Sequence, residues 1–129
     1  MNKILVEVSV GELLDKISIL EIKQEKIKDP EKLRFINDEH SILKDQLEQN
    51  VSSDDKLNDL FQSLKEINAK LWVIEDDKRM CEKESDFTEN FIKLSRDVHF
   101  LNDERAKIKL KMNNHTGSKI REIKEYTNY

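Results

Sequence analysis

Trp72, Glu75 and Arg79 recur at steps of three and four, so a helix through Leu71–Arg79 sets them in one stripe. Asn102 and Arg105 supply a second polar set, and Arg105 falls in a series where an apolar residue is expected. An aromatic face beside carboxylate, amide and guanidinium groups could hold a phosphate or a sugar nucleotide, as a binding protein or an enzyme would. Trp72, Glu75, Arg79, Asn102 and Arg105 are therefore the candidate ligand-binding residues. A buried Arg105 must be paired, because an unpaired buried charge is very costly. Its expected partner is Glu66, with Arg96 reaching Glu75. A structural ion pair that fixes helix register is the favoured reading of these groups.

Other chemistry has less to stand on. His40, His99 and His115 belong to neither the Glu-x-x-His nor the His-Glu-x-x-His metal motif. His40 reads as a core histidine with one hydrogen bond. Glu12-x-x-Asp15 and Glu122-x-x-Glu125 could hold magnesium in principle, but such pairs arise readily on charged helices. Cys81 lies near a helix C-terminus, where the dipole raises a thiol pKa. No glycine-rich loop is present to cradle a phosphate, and the first helix lacks the arginine that a helical mutase of the chorismate type would need. The expectation is a protein without cofactor or metal, and more a binding module than an enzyme.

Helices must position these groups. Ser9-Val10-Gly11-Glu12 forms a capping box, opening helix 1 over 10–28. Leu13, Ile17, Leu20 and Ile27 share one face of it and Ile19 and Ile22 nearly the opposite one, so it is sandwiched or meets another chain. Asp29-Pro30 stops it and starts helix 2 over 30–50, which carries Leu33, Ile36, His40, Leu43 and Leu47. Helix 3, over 54–82, holds a heptad rhythm from Leu57 through Leu60, Leu64, Ile67 and Leu71 to Ile74. Helix 4, over 87–112, repeats it with Phe87, Phe91, Leu94, Val98, Leu101, Ile108 and Met112. Lys3–Val8, within segment 1–8, alternates as a short strand. The tail 118–129 is ambiguous between helix and strand, and Ile120–Tyr126 could pair with Ile4–Val8.

Short connections make this an all-α, up-down antiparallel bundle of about four helices in one domain, with a long heptad-patterned hairpin. Reflection about the turns sets residue 40 beside 64 and residue 105 beside about 65. Helix 3, roughly 43 Å long against roughly 30 Å for helix 2, should carry the hairpin end from Glu75 to Arg96 beyond the other helices. Apolar residues there, with two-faced helix 1, predict a homodimer interface at Ile19, Ile22, Ile74, Met80, Phe87 and Phe91, and a protein partner could use the same surface.

The composition of the 129 residues agrees: 39% are charged, 36% are hydrophobic, and the net charge is -4. Mean hydropathy is -0.76, yet the apolar residues recur regularly, which argues against disorder. Acidity argues against binding bulk nucleic acid, and no apolar run is long enough to span a bilayer. The lone Cys81 and the absence of a secretory signal point to the cytoplasm. Charge is uneven: Glu75–Glu89 has seven acidic residues against three basic, Arg105–Glu125 seven basic against two acidic.

Val8-Ser9-Val10-Gly11-Glu12-Leu13-Leu14-Asp15-Lys16, then Ile19-Leu20-Glu21-Ile22-Lys23 and Lys28-Asp29-Pro30, resembles the opening of a small bacterial and phage family of unknown function. Leu71-Trp72 with Ile74-Glu75-Asp76-Asp77, Asn102-Asp103-Glu104-Arg105-Ala106 and Gly117-Ser118 resemble its later motifs. The resemblance implies a helical single domain and a setting near genes for surface-sugar synthesis, with no reaction or catalytic residue to carry over. The chain departs at Leu110, where a basic residue is usual, and at Ile123, where an acidic one is.

Overall fold

A computed structural model describes residues 3–129, and four helices account for its regular structure: α1 Val10–Lys26, α2 Pro30–Asn50, α3 Asp55–Glu84 and α4 Glu89–Thr116. Each start has a chemical cause. Ser9 Oγ accepts the Glu12 amide proton at 3.1 Å, Asp29 caps α2 with Pro30 at its first position, and Asp54 accepts from the Leu57 amide at 2.8 Å. The Glu12 carboxylate turns to Lys109, so one arm of the expected capping box serves tertiary structure instead. Ser85 and Gly117 close α3 and α4 in the left-handed conformation, at φ 54° and 68°. Helix α4 begins two residues later than the sequence suggests, because Asp86 accepts the Thr88 amide proton and holds Phe87 in the turn. It also runs on past Met112, because Asn113 bonds across to α1 rather than breaking its own helix.

Helix α1 is the hub. It packs against α2, α3 and α4, and α3 packs against α4, while the α2 backbone approaches neither α3 nor α4. The order of neighbours thus departs from a simple up-down circuit: α2 and α3, which reflection sets side by side at residues 40 and 64, make no close backbone approach because each packs on α1 instead. His40 of α2 meets Glu21 of α1, and Lys65 of α3 reaches that same carboxylate from the other side. Leu14, Leu57, Leu64 and Met112 form the core, joined by Val10, Leu47, Val51, Leu60, Phe61 and Ile108. Covered from three directions, α1 buries Leu14, Ile17, Leu20 and Ile22 together with Gly11, Asp15 and Ser18. Its two apolar faces are explained within one chain. Ile22, expected at an interface, is only 1% exposed and is withdrawn from that role.

The expected strand is not formed. Positions 1 and 2 of segment 1–8 lie outside the described residues, and Lys3–Val8 is neither strand nor helix, with Ile4 and Leu5 each 89% exposed. β-branched residues favour extended structure only when a neighbouring strand takes up their backbone groups. The tail that might have done so is drawn along α4 instead, where Lys109 holds Glu122 at 3.2 Å and Tyr129 rests edge-on against His99 and Phe100. Residues 118–129 adopt neither of the two forms considered for them. Among the described residues no helix is long and apolar enough to cross a membrane.

At Gly11 the α4 backbone comes close to α1. A Cβ there would lie 2.7 Å from the Lys109 carbonyl oxygen and 3.1 Å from its Cα, both backbone atoms that cannot swing aside. Alanine would gain about 1 kcal/mol of helix propensity but force α1 and α4 apart. Gly11→Ala should therefore lower stability by about 1–2 kcal/mol net, read as a lower urea midpoint with an unchanged slope. A stabilised protein would mean that the two helices sit further apart.

Candidate functional site

Asp15 stands in the middle of α1, and its side chain is almost wholly enclosed (3% exposed). A carboxylate there survives only if its charge is met. Arg105 of α4 meets it with a two-pronged grip, Nε donating to Oδ1 at 3.0 Å and Nη2 to Oδ2. Asn68 of α3 donates its Nδ2 protons to Asp15 Oδ1 and to Ser18 Oγ, both at 2.8 Å. Lys109 stands 3.7 Å from Asp15 and is held by Glu12 at 2.8 Å and Glu122 at 3.2 Å. Three helices and the tail are thus tied by one connected set of charges. Burial pushes the Asp15 carboxyl up, but the hydrogen bonds from Arg105 and Asn68 and the charges of Arg105 and Lys109 outweigh it, holding it below the ordinary 3.8. Burial likewise favours neutral Lys109, and its carboxylate neighbours, Glu12 foremost, outweigh that and hold it above 10.5.

The partner inferred for Arg105 is corrected accordingly. Glu66 faces solvent, and the carboxylate that meets Arg105 comes from α1, which packs across both α3 and α4 and is left out of a reflection about their turn. Arg96 lies over the Phe100 ring at 5.8 Å, while Glu75 pairs within its own helix with Arg79 at 3.2 Å. Glu12, Asp15 and Glu122, carboxylates weighed for magnesium, do converge, but around the Lys109 ammonium. Among the described residues no three His, Cys, Asp or Glu side chains gather as a metal site. His40 bonds Glu21 at 3.1 Å and His115 bonds Asp54 at 2.8 Å. The Cys81 thiol is buried, and burial followed by the charge of Asp86 pushes its pKa up, away from nucleophilic use.

Beside the charge network a groove of about 530 Å³ opens between α1, α3 and α4. Ile19, Ile22, Leu71 and Trp72 give it an apolar wall, and Asn68, Glu75, Asp76, Arg79 and Arg105 its polar groups. Four of the five candidate ligand residues line this one groove. The fifth, Asn102, stands behind it and accepts from Arg105 Nη1 at 3.3 Å. Asp15 entered only as half of a possible magnesium pair, and Ser18, Asn68 and Lys109 carried no expectation. The signal on α1 is the stripe Gly11–Asp15–Ser18, small and polar residues at steps of four and three that mark a face another helix approaches closely.

The match to a family model runs over residues 4–129. The chain belongs to a family of unknown function, DUF6165. Neither curated proteins nor solved structures give a match. Membership in DUF6165 brings no reaction with it, so function has to be read from the surfaces and the groove.

The charge network makes stability depend on pH. Asp15 is depressed on folding, so its contribution is whole above its unfolded value near 3.8 and is lost as pH falls through the folded one. Lys109 is raised, so its contribution is whole below 10.5 and is lost as pH climbs through the folded value. Urea midpoints should therefore be level through neutral pH and fall on both flanks. Asp15→Asn should lower the plateau by about 3 kcal/mol, since it strands a partly buried arginine, and should soften the acid flank. An unchanged plateau would show that Arg105 finds equal satisfaction elsewhere.

Proposed function

We propose that this chain is a self-associating helical module whose projecting hairpin packs against a second copy. The observation that carries the reading is how little covers the outer part of α3 and α4. Between Val73 and Phe100 only Cys81 is buried, while Val73, Met80, Phe87, Ile92 and Phe100 are all exposed, Phe87 at 52% and Ile92 at 55%. Phe87 and Phe91 stand edge to face with centroids 5.5 Å apart, forming a preset aromatic knob at the turn. An exposed apolar face along a projecting hairpin suits an interface. Of the expected interface residues, Met80 and Phe87 are exposed, and Ile19, Ile74 and Phe91 are partly so.

Charge supports a second copy as the occupant. The hairpin end is acidic over Glu75–Glu89, with seven acidic residues against three basic, and the opposite end is basic over Arg105–Glu125, with seven basic against two acidic. Helix α4 spans most of the distance between them, roughly 42 Å by its helical rise. Two copies related by a two-fold axis with hairpins antiparallel bring each acidic end toward the other's basic end while joining the apolar faces between them.

Light scattering at high micromolar concentration should give twice the mass of the chain. Phe87→Asp should weaken association at least about tenfold, equivalent to about 1.4 kcal/mol, and leave the helical circular dichroism unchanged because the side chain is exposed. A wild-type protein that stays monomeric at that concentration would end this reading.

A further inference from the structure

Asn68 lines the groove, and among the described residues the fold gives its carbonyl oxygen no protein partner. Asn68 is only 5% exposed, and its Nδ2 group is committed to Asp15 and Ser18. A carboxylate only accepts hydrogen bonds, so the amide nitrogen must face Asp15 and the carbonyl oxygen must turn the other way. No residue among those described donates to that Oδ1, and no fully enclosed side-chain polar atom goes unpaired, so the oxygen meets the groove. An acceptor left open beside a groove can take its donor from water or from a ligand.

The remaining groups narrow the donor's chemistry. Trp72 stands one helical turn beyond Asn68, and Glu75 and Asp76 follow at roughly 11–12 Å from Asn68 along the helix. An aromatic face attracts cations, and an apolar wall accepts methylene groups. Arg105 does not offset this, because Asp15 neutralises it. The Asp15 carboxylate takes both Nε and Nη2 of Arg105, which leaves the guanidinium little to offer an anion in the groove. Arg79 sits at the rim, with its side chain 74% exposed and turned back onto Glu75. A phosphate would have to face Glu75 and Asp76 and compete with Asp15 for Arg105.

The geometry points to this groove as a binding site for a linear aliphatic polyamine, with one amine donating to Asn68 Oδ1, the methylene stem lying along Trp72 and Ile19, and a second amine held by Glu75 and Asp76. Extended spermidine spans about the distance that separates these acceptors on α3. All the groups of the site come from one chain, so it needs no second copy, although Ile19, Glu75 and Asp76 also belong to the surface assigned to self-association.

Trp72 is the only tryptophan, so its fluorescence reports the groove directly. Titration with spermidine should give a saturable change, and potassium chloride at matched ionic strength should not. The Glu75→Gln, Asp76→Asn double variant should weaken the response at least about tenfold; both side chains reach solvent, and the helical spectrum verifies folding. Should that variant lose structure, Asp76→Asn alone should show the same direction of change. Phe87→Asp should bind spermidine as the wild type does, which separates failure of this site from failure of the dimer. A flat titration, a change reproduced by salt, a response indifferent to the carboxylates, or saturation by inorganic phosphate or glucose in place of spermidine would overturn the assignment.

Discussion

A negative charge enclosed by protein can exist only where cations come to it, and Asp15 imposes that condition on the whole chain. Arg105 and Lys109 must lie one turn apart on α4, Asn68 must face them from α3, and α1 must run between the two. Apolar burial supplies the bulk attraction among these helices but is indifferent to sliding. The carboxylate is not, since a displacement of one turn would leave two guanidinium and ammonium groups half-satisfied. Registry among α1, α3 and α4 is therefore an electrostatic matter laid over a hydrophobic one.

The same condition explains why α1 is the hub although it is the shortest helix. Gly11 lets the α4 backbone come close, and Asn113 uses that closeness to accept the Gly11 amide proton at 2.7 Å. Ser18 returns its own proton to the Asp15 carbonyl at 2.8 Å and so remains free to accept from Asn68. Small and polar positions on α1 thus do what bulky residues do elsewhere in the core, and they leave beside them the space that becomes the groove.

Much of this was legible in the residue order. The four helices follow from apolar spacing and from caps at Ser9, Asp29 and Asp54, because those signals are local. The single stripe of Trp72, Glu75 and Arg79 follows from helical periodicity, whereas reflection about the hairpin turn sets Arg105 beside residue 65. Two things were out of reach. The stripe holding Asp15 marks a face that another helix approaches, but nothing nearby in sequence discloses the cations ninety positions away. The N-terminal alternation of Ile4, Val6 and Val8 states a preference for extended backbone, but whether a neighbouring strand exists is decided by the tail, which lies against α4.

That separation of ninety positions also bears on how the protein is made. A ribosome delivering roughly 5–20 residues per second releases Asp15 some seconds before the arginine that will neutralise it. During that interval α1 has α2 and part of α3 to lean on but no counter-charge. Its central carboxylate must stay hydrated, which keeps an otherwise sticky amphipathic helix from settling into a dry, wrong partnership. Arrival of α4 then converts a solubilising group into a fastener, so one side chain serves the nascent chain and the finished one in opposite ways.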